Sequence, residues 1–125
     1  MRLLTIAATI GLAMTAQAFA EGDAAKGEKV FRKCAACHAV GEGAKNKVGP
    51  QLNGLIDRPA ATVEGYKYSK AMKAKGEEGL VWSEDNLHAY LTKPKDFVPK
   101  TKMAFAGLRK EADIDNIIAY LKQYQ

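Results

Sequence analysis

Apolar positions recur with a helical period in several stretches of this chain and alternate as in a strand in none. The clearest period lies near the end, where Ile114, Ile117, Ile118 and Leu121 fall at i, i+3, i+4 and i+7 behind a cluster of acids that suits a helix N-terminus. A second begins at Asp23, a plausible N-cap, and runs to about His38 with Gly27, Val30, Phe31 and Cys34 on one side. Gly27 and Phe31 are one turn apart, and the glycine leaves room for a close helix crossing. Ser69 opens a short lysine-rich helix that Gly76 would stop. Ser83 opens another, with Leu87, Tyr90 and Leu91 at i, i+3 and i+4 and its limit before Pro94. Residues 39–50 are rich in glycine and lysine, 51–56 are broken by Gly54, and 95–102 contain Pro99 without any period. The expected fold is therefore all-α, with long loops between its helices.

The first twenty residues follow a different pattern. Arg2 precedes an apolar run from Leu3 to Met14, and Ala18-Phe19-Ala20 forms a small-x-small site before Glu21. Residues 1–20 thus read as a cleaved secretory signal, with cleavage after Ala18 as the alternative, and residues 21–125 as one domain. The run is shorter than the roughly 20 residues that span a bilayer, so no stable membrane insertion is expected. The predicted location is the periplasm. Net charge is +5 over 125 residues and falls by one when Arg2 is removed. The basic side chains are diluted by acids and form no stripe interleaved with aromatics, so nucleic-acid binding is not expected. A cationic face for an acidic protein partner fits better.

Chemistry concentrates at Cys34-Ala35-Ala36-Cys37-His38. Two thiols spaced by two residues can each form a thioether to a porphyrin vinyl group while the adjacent imidazole ligates iron, which makes this a covalent haem-attachment pattern. A thioredoxin-like pair would follow a strand and open a helix, whereas this pair closes an amphipathic segment. A zinc site would need four ligands, and the second histidine, His88, is far along the chain. Haem c is the cofactor expected here. It would also supply a centre for a domain too small and loop-rich to be secure on its own core. A carbonyl near Gly49-Pro50 is the candidate acceptor for the second ring N–H of His38. For the other axial position the residues offer Met103, Met72 and His88. Met103 sits on an irregular loop free to turn inward and is favoured. Met72 reads as helix packing, and His88 is the main competitor.

These features resemble a class I cytochrome c, of the bacterial cytochrome c2 type that is similar to mitochondrial cytochrome c. The resemblance runs from about Asp23 to Tyr124. It rests on Gly27, Phe31, the Cys34–His38 motif, Gly49-Pro50-Gln51-Leu52-Asn53-Gly54-Leu55, Gly65-Tyr66-Lys67-Tyr68, Trp82, Tyr90-Leu91, Pro94-Lys95, Pro99-Lys100-Thr101-Lys102-Met103 and Ile118-Ala119-Tyr120-Leu121. It implies crossed N- and C-terminal helices around a buried haem, with Gly27 and Phe31 meeting Ile117 and Tyr120. It further implies covalent attachment at Cys34 and Cys37, His38 and Met103 as axial ligands and the Pro50 carbonyl as acceptor for His38. Arg58, Tyr68 and Trp82 are implied beside the haem propionates, and Tyr90 and Thr101 near the axial methionine. The implied function is a periplasmic electron carrier rather than an enzyme, docking transiently on acidic faces of redox proteins. A quinol-oxidising cytochrome complex would be the donor, and an oxidase, reaction centre or reductase the acceptor. Lys33, Lys47, Lys95, Lys102 and Lys110, with Arg109 close by, would ring the haem edge. Nothing marks an oligomer, so a monomer is expected. The chain departs from the mitochondrial pattern at Lys100, where glycine is usual, at Met72, where asparagine is usual, and in a longer connection through Gly76-Glu77-Glu78-Gly79.

Overall fold

Five helices, four of them at the stretches with a helical period or caps, occur among the described residues of the computed structural model, which are Ile10, Gly11 and residues 21–125. The expected leader otherwise lies outside the described residues. Helix α1, Ala24–Phe31, starts where Asp23 accepts the Lys26 backbone N–H at 3.0 Å. It ends earlier than its period suggests. Beyond Phe31 the main chain tightens, with the Lys33 and Cys34 N–H groups bonding three residues back to Val30 and Phe31 rather than four. The Cys34 carbonyl then accepts both Cys37 N–H at 3.0 Å and His38 N–H at 2.9 Å. The two thiols and the imidazole therefore sit on a separate turn, set off from the helix that carries them.

Helix α2, Lys70–Glu77, is capped by Ser69 as expected, but its stop is Gly79 at φ +92°, not Gly76. Gly76 lies inside the helix because a Cβ there would sit 2.6 Å from the Ala60 carbonyl oxygen. Its role is close packing. Helix α3, Glu84–Thr92, is capped by Ser83 and closes before Pro94. The segment after it, expected as loop, instead opens with a single helical turn, α4, Pro94–Phe97. Proline stands at its first position, where a missing N–H costs nothing. Helix α5, Glu111–Leu121, buries Ile114, Ile117, Ile118 and Leu121, the four positions its period marks.

The frame is the crossing of α1 and α5. A Cβ on Gly27 would collide with the Asn116 carbonyl, so only glycine permits this approach. Phe31 and Tyr120 meet with ring centres 5.3 Å apart, and the Asn116 side chain accepts the Asp23 N–H at 2.8 Å. Each aliphatic side chain buried in the seam contributes roughly 1.5–3 kcal/mol. Helix α3 is tied to the C-terminal end by Glu84 with Lys122 and by His88 with Asp115 at 3.7 Å. No strand occurs among the described residues. One isolated antiparallel bridge joins Pro59 and Val81, and the Trp82 N–H to Arg58 carbonyl bond at 2.9 Å beside it holds Arg58 next to Trp82.

Candidate cofactor site

A cavity of about 340 Å³ opens between the α1–α5 frame, helix α3 and the loops 48–69 and 101–105. Cys34, Cys37, His38, Pro50, Arg58, Tyr68, Trp82, Tyr90, Thr101 and Met103 all line it. Ten residues spread over seventy positions of sequence thus face one space.

The His38 ring is fixed from two sides. Its Nδ1 lies 2.7 Å from the Pro50 carbonyl oxygen, so Nδ1–H donates and Nε2 keeps a free lone pair. Gly49 packs flat on the ring, and a Cβ there would drive into the imidazole. Gly49 is itself held, its N–H donating to the Cys37 carbonyl at 2.8 Å. Burial pushes the His38 pKa down, with the Pro50 bond opposing in part and Lys47 adding to the fall. The neutral ring, the form that binds metals, is therefore favoured. Burial pushes the Cys34 thiol up, against a smaller pull from Lys33. Burial of this kind disfavours the Cys34 thiolate, the form that attacks in thiol–disulfide exchange.

Across the cavity, Met103 is positioned by its neighbours. The Tyr90 hydroxyl lies 3.7 Å from the Met103 sulfur and 3.2 Å from the Thr101 hydroxyl, which in turn accepts the Met103 N–H at 3.3 Å. Burial raises the Tyr90 pKa, so the phenol stays protonated and able to donate. Met72 also lines the cavity, from α2, while packing against the core. His88 does not. It faces Asp115 on the other side of α3, which removes the competing imidazole.

The polar part of the wall is small and cationic. Arg58 donates to the Asn53 carbonyl at 2.9 Å, and burial lowers its pKa, a cost that an anionic group beside it would offset. The Tyr68 hydroxyl accepts the Val63 N–H at 2.9 Å and keeps its own proton to give. Trp82 is 6% exposed and tilts against Tyr90 with ring centres 4.9 Å apart. The rest of the wall is mostly apolar, including Leu52, Leu55, Leu87, Ile117 and Leu121. Two thiols and a free imidazole nitrogen on one wall, a thioether on another and a guanidinium among donors fit a flat apolar metal macrocycle with acidic substituents.

Some contributors escape sequence reasoning. Gly41 and Asn53 exchange two hydrogen bonds of 2.8 Å, which locks the loop after the cysteine motif. Asn46 accepts the Gln51 N–H at 3.0 Å and donates to the Glu64 carbonyl at 3.1 Å. Tyr66 lines the cavity and donates to the Val48 carbonyl at 2.6 Å. No periodicity marks such residues, because each acts through main-chain groups whose place only the fold sets. Two lysines expected on the docking rim are also engaged: Lys47 donates to the Ala35 carbonyl and Lys102 to that of Lys67.

A fold of crossed terminal helices around a cavity with this donor set defines a haem-bearing electron-transfer protein, and comparison with known proteins agrees. Residues 24–125 match the family model for cytochrome c, and the chain belongs to that family. It is 58% identical over 100 residues to cytochrome c2 of Afifella marina, covering 80% of this chain and 81% of that one. It is 51% identical over 123 residues to cytochrome c-554 of Methylosinus trichosporium, covering 98% and 91%. Among solved structures, cytochrome c2 from Rhodospirillum centenum superposes with a TM-score of 0.78 at 47% identity, covering 82% of this chain and 98% of that one. The family carries one covalent haem c and transfers electrons rather than converting a substrate. The expected all-α cytochrome fold stands.

Proposed function

We propose that this chain is an exported, periplasmic electron shuttle whose haem is held by thioethers at Cys34 and Cys37 and by His38 and Met103 as axial ligands. The observation that carries this is the pair of supported side chains facing one cavity: His38 backed by the Pro50 carbonyl, and Met103 held by Tyr90 and Thr101. Haem c supplies a one-electron Fe(III)/Fe(II) couple. The chain's part is to hold both axial positions filled, so that nothing need bind or leave when the charge changes. Arg58, Tyr68 and Trp82 are the residues proposed for the propionates, where a guanidinium and two donors would balance two carboxylates. The leader 1–20 directs export. Exposed Lys95, Arg109 and Lys110 belong to a cationic face that speeds encounter with acidic redox partners. Those partners are a quinol-oxidising cytochrome complex on the donor side and an oxidase, reaction centre or reductase on the acceptor side.

The test is intact mass and visible spectra of the exported protein. The reading predicts a chain beginning at Glu21 that carries one haem resistant to acid extraction. Its reduced spectrum should be unchanged by carbon monoxide. A haem lost on acid extraction, or a carbon monoxide complex of the native protein, would overturn it.

A further inference from the structure

Arg58 reaches the cavity from a segment that is held from outside it. Its guanidinium donates to the Asn53 carbonyl at 2.9 Å. Asn53 is fixed by its two side-chain bonds with Gly41 and by its own N–H, which donates to the Gln51 side chain at 2.6 Å. At the other end, the Asp57 N–H donates to the Trp82 carbonyl at 2.8 Å, and the Trp82 N–H to the Arg58 carbonyl at 2.9 Å. Between these fixed points, Gly54 and Ile56 are held by the residues just past α5. The Gly54 N–H donates to the Tyr124 carbonyl at 2.6 Å. The Gln125 side-chain amide accepts the Ile56 N–H and donates to the Ile56 carbonyl, each at 3.4 Å, as a peptide group of a neighbouring strand would. Tyr124 is anchored on α5 in turn, its hydroxyl donating to that of Tyr120 at 3.2 Å.

From this geometry we infer that Tyr124 and Gln125 form a clasp that positions Arg58 in the cavity, so that the end of α5 governs where the guanidinium sits. The inference rests on Arg58 serving the haem propionates. A guanidinium beside carboxylates acts through direction as well as charge, because its donors form a rigid fork. Arg58 takes that direction from the Asn53 carbonyl, and the main chain from Asn53 to Arg58 turns freely only when Gly54 and Ile56 leave the clasp. Leu55, between them, is buried and lines the same cavity. A cation held near the haem favours the reduced form, which carries one positive charge fewer. Loosening the clasp therefore lowers the potential by way of Arg58.

The experiment uses the haem-loaded protein, with Gln125→Ala and the removal of Tyr124 and Gln125 as its two perturbations. Hydrogen exchange at the Gly54 and Ile56 amides and at the Arg58 guanidinium reports the clasp. The reduction potential, measured with and without Arg58→Leu, reports what the clasp does. Removal should speed exchange at all three sites by about tenfold, as loss of a short hydrogen bond implies, and Gln125→Ala should speed it at Ile56 and Arg58 by about threefold. Gly49 and Leu108, bonded to the Cys37 and Leu91 carbonyls, should not change. Both perturbations should lower the potential of the otherwise native protein and leave that of Arg58→Leu where it is, the non-additivity expected of groups that act together. If removal prevents folding, Gln125→Ala carries the same tests. Native exchange at Gly54 and Ile56 would mean that there is no clasp. A potential that falls equally with and without Arg58 would mean that residues 124–125 only support the fold, and would overturn the positioning role. If Arg58→Leu by itself keeps the native potential, the propionate reading fails instead. Guanidinium exchange then still decides the clasp: faster exchange upholds its hold on Arg58, and native exchange overturns it.

Discussion

The α1–α5 crossing and the loop wall of the cavity are held together by different means. At the crossing, side chains meet side chains at helical spacing: Ile114, Ile117, Ile118 and Leu121 against Val30 and Phe31, with Gly27 allowing the approach. On the loop wall, single side chains reach to main-chain groups from five to thirty-five residues away. Asn46 bonds to Glu64, Tyr66 to Val48, Arg58 to Asn53, Tyr68 to Val63 and Lys102 to Lys67. The first kind of region stands on apolar burial, which it shares among many residues. The second turns its apolar side chains, Leu52, Leu55 and Phe105 among them, toward the cavity and ties its polar ends to main chain around that space. A wall built this way depends on what fills the cavity.

The strongest way to break the comparison is to deny the cavity its haem. Replacing Cys34 and Cys37 by serine should leave a chain without cooperative thermal unfolding. Without the haem the large apolar side chains of this cavity face water, each giving up roughly 1.5–3 kcal/mol of burial, a loss to set against the roughly 5–15 kcal/mol that stabilises a whole domain. Circular dichroism with heating checks this, and a sharp transition at wild-type temperature would mean the loops stand alone. Next in size is the frame itself. Gly27→Val should cost about 3 kcal/mol in denaturant unfolding of the haem-loaded protein, the upper range for overpacking, because the Asn116 carbonyl cannot retreat without moving α5.

Smaller effects sharpen the loop side. Tyr90→Phe removes the donor to the Met103 sulfur and the partner of Thr101, at a cost of roughly 1 kcal/mol. A hydrogen bond that draws density from the sulfur favours the reduced form, so the variant's potential should fall by about 20–40 mV in a voltammetric titration. Lys100 sits at φ +66°, a left-handed position that suits glycine, and Lys100→Gly should stabilise by about 0.5–1 kcal/mol. Smallest is a pH effect at the seam. The hydrogen bond to Tyr124, then burial and the charge of Tyr124 and Glu28, push the Tyr120 phenol up to about 12. The folded state therefore holds this proton more tightly than the unfolded chain. Its contribution should be intact below pH 10 and lost as pH rises through about 12. Tyr124→Phe should shift that tyrosinate titration downward in ultraviolet absorbance.

This contrast also explains what was legible in the sequence. Helix α5 could be read residue by residue because burial on a helix imposes a period. Ser69 and Ser83 could be read as caps because the side chain acts locally, on an N–H three residues on. The haem residues could be read as chemistry, from the spacing of Cys34, Cys37 and His38, and from family resemblance for Arg58, Tyr68 and Trp82. The early end of α1 at Phe31, the turn at Pro94–Phe97 and the interior place of Gly76 were not legible. Each is set by tertiary contacts or by a change of hydrogen-bond register that no window of sequence contains. The engagement of Lys102 and Lys47 was hidden for the same reason, since an exposed lysine reads as solvated until its acceptor is known.

The central claim is that His38 and Met103 face one haem across this cavity. The most direct measurement is the absorbance band of methionine bound to oxidised haem iron, compared between Met103→Ala and Met72→Leu. The account predicts that the band disappears in Met103→Ala and persists in Met72→Leu. A band that survives in Met103→Ala and vanishes in Met72→Leu would contradict it.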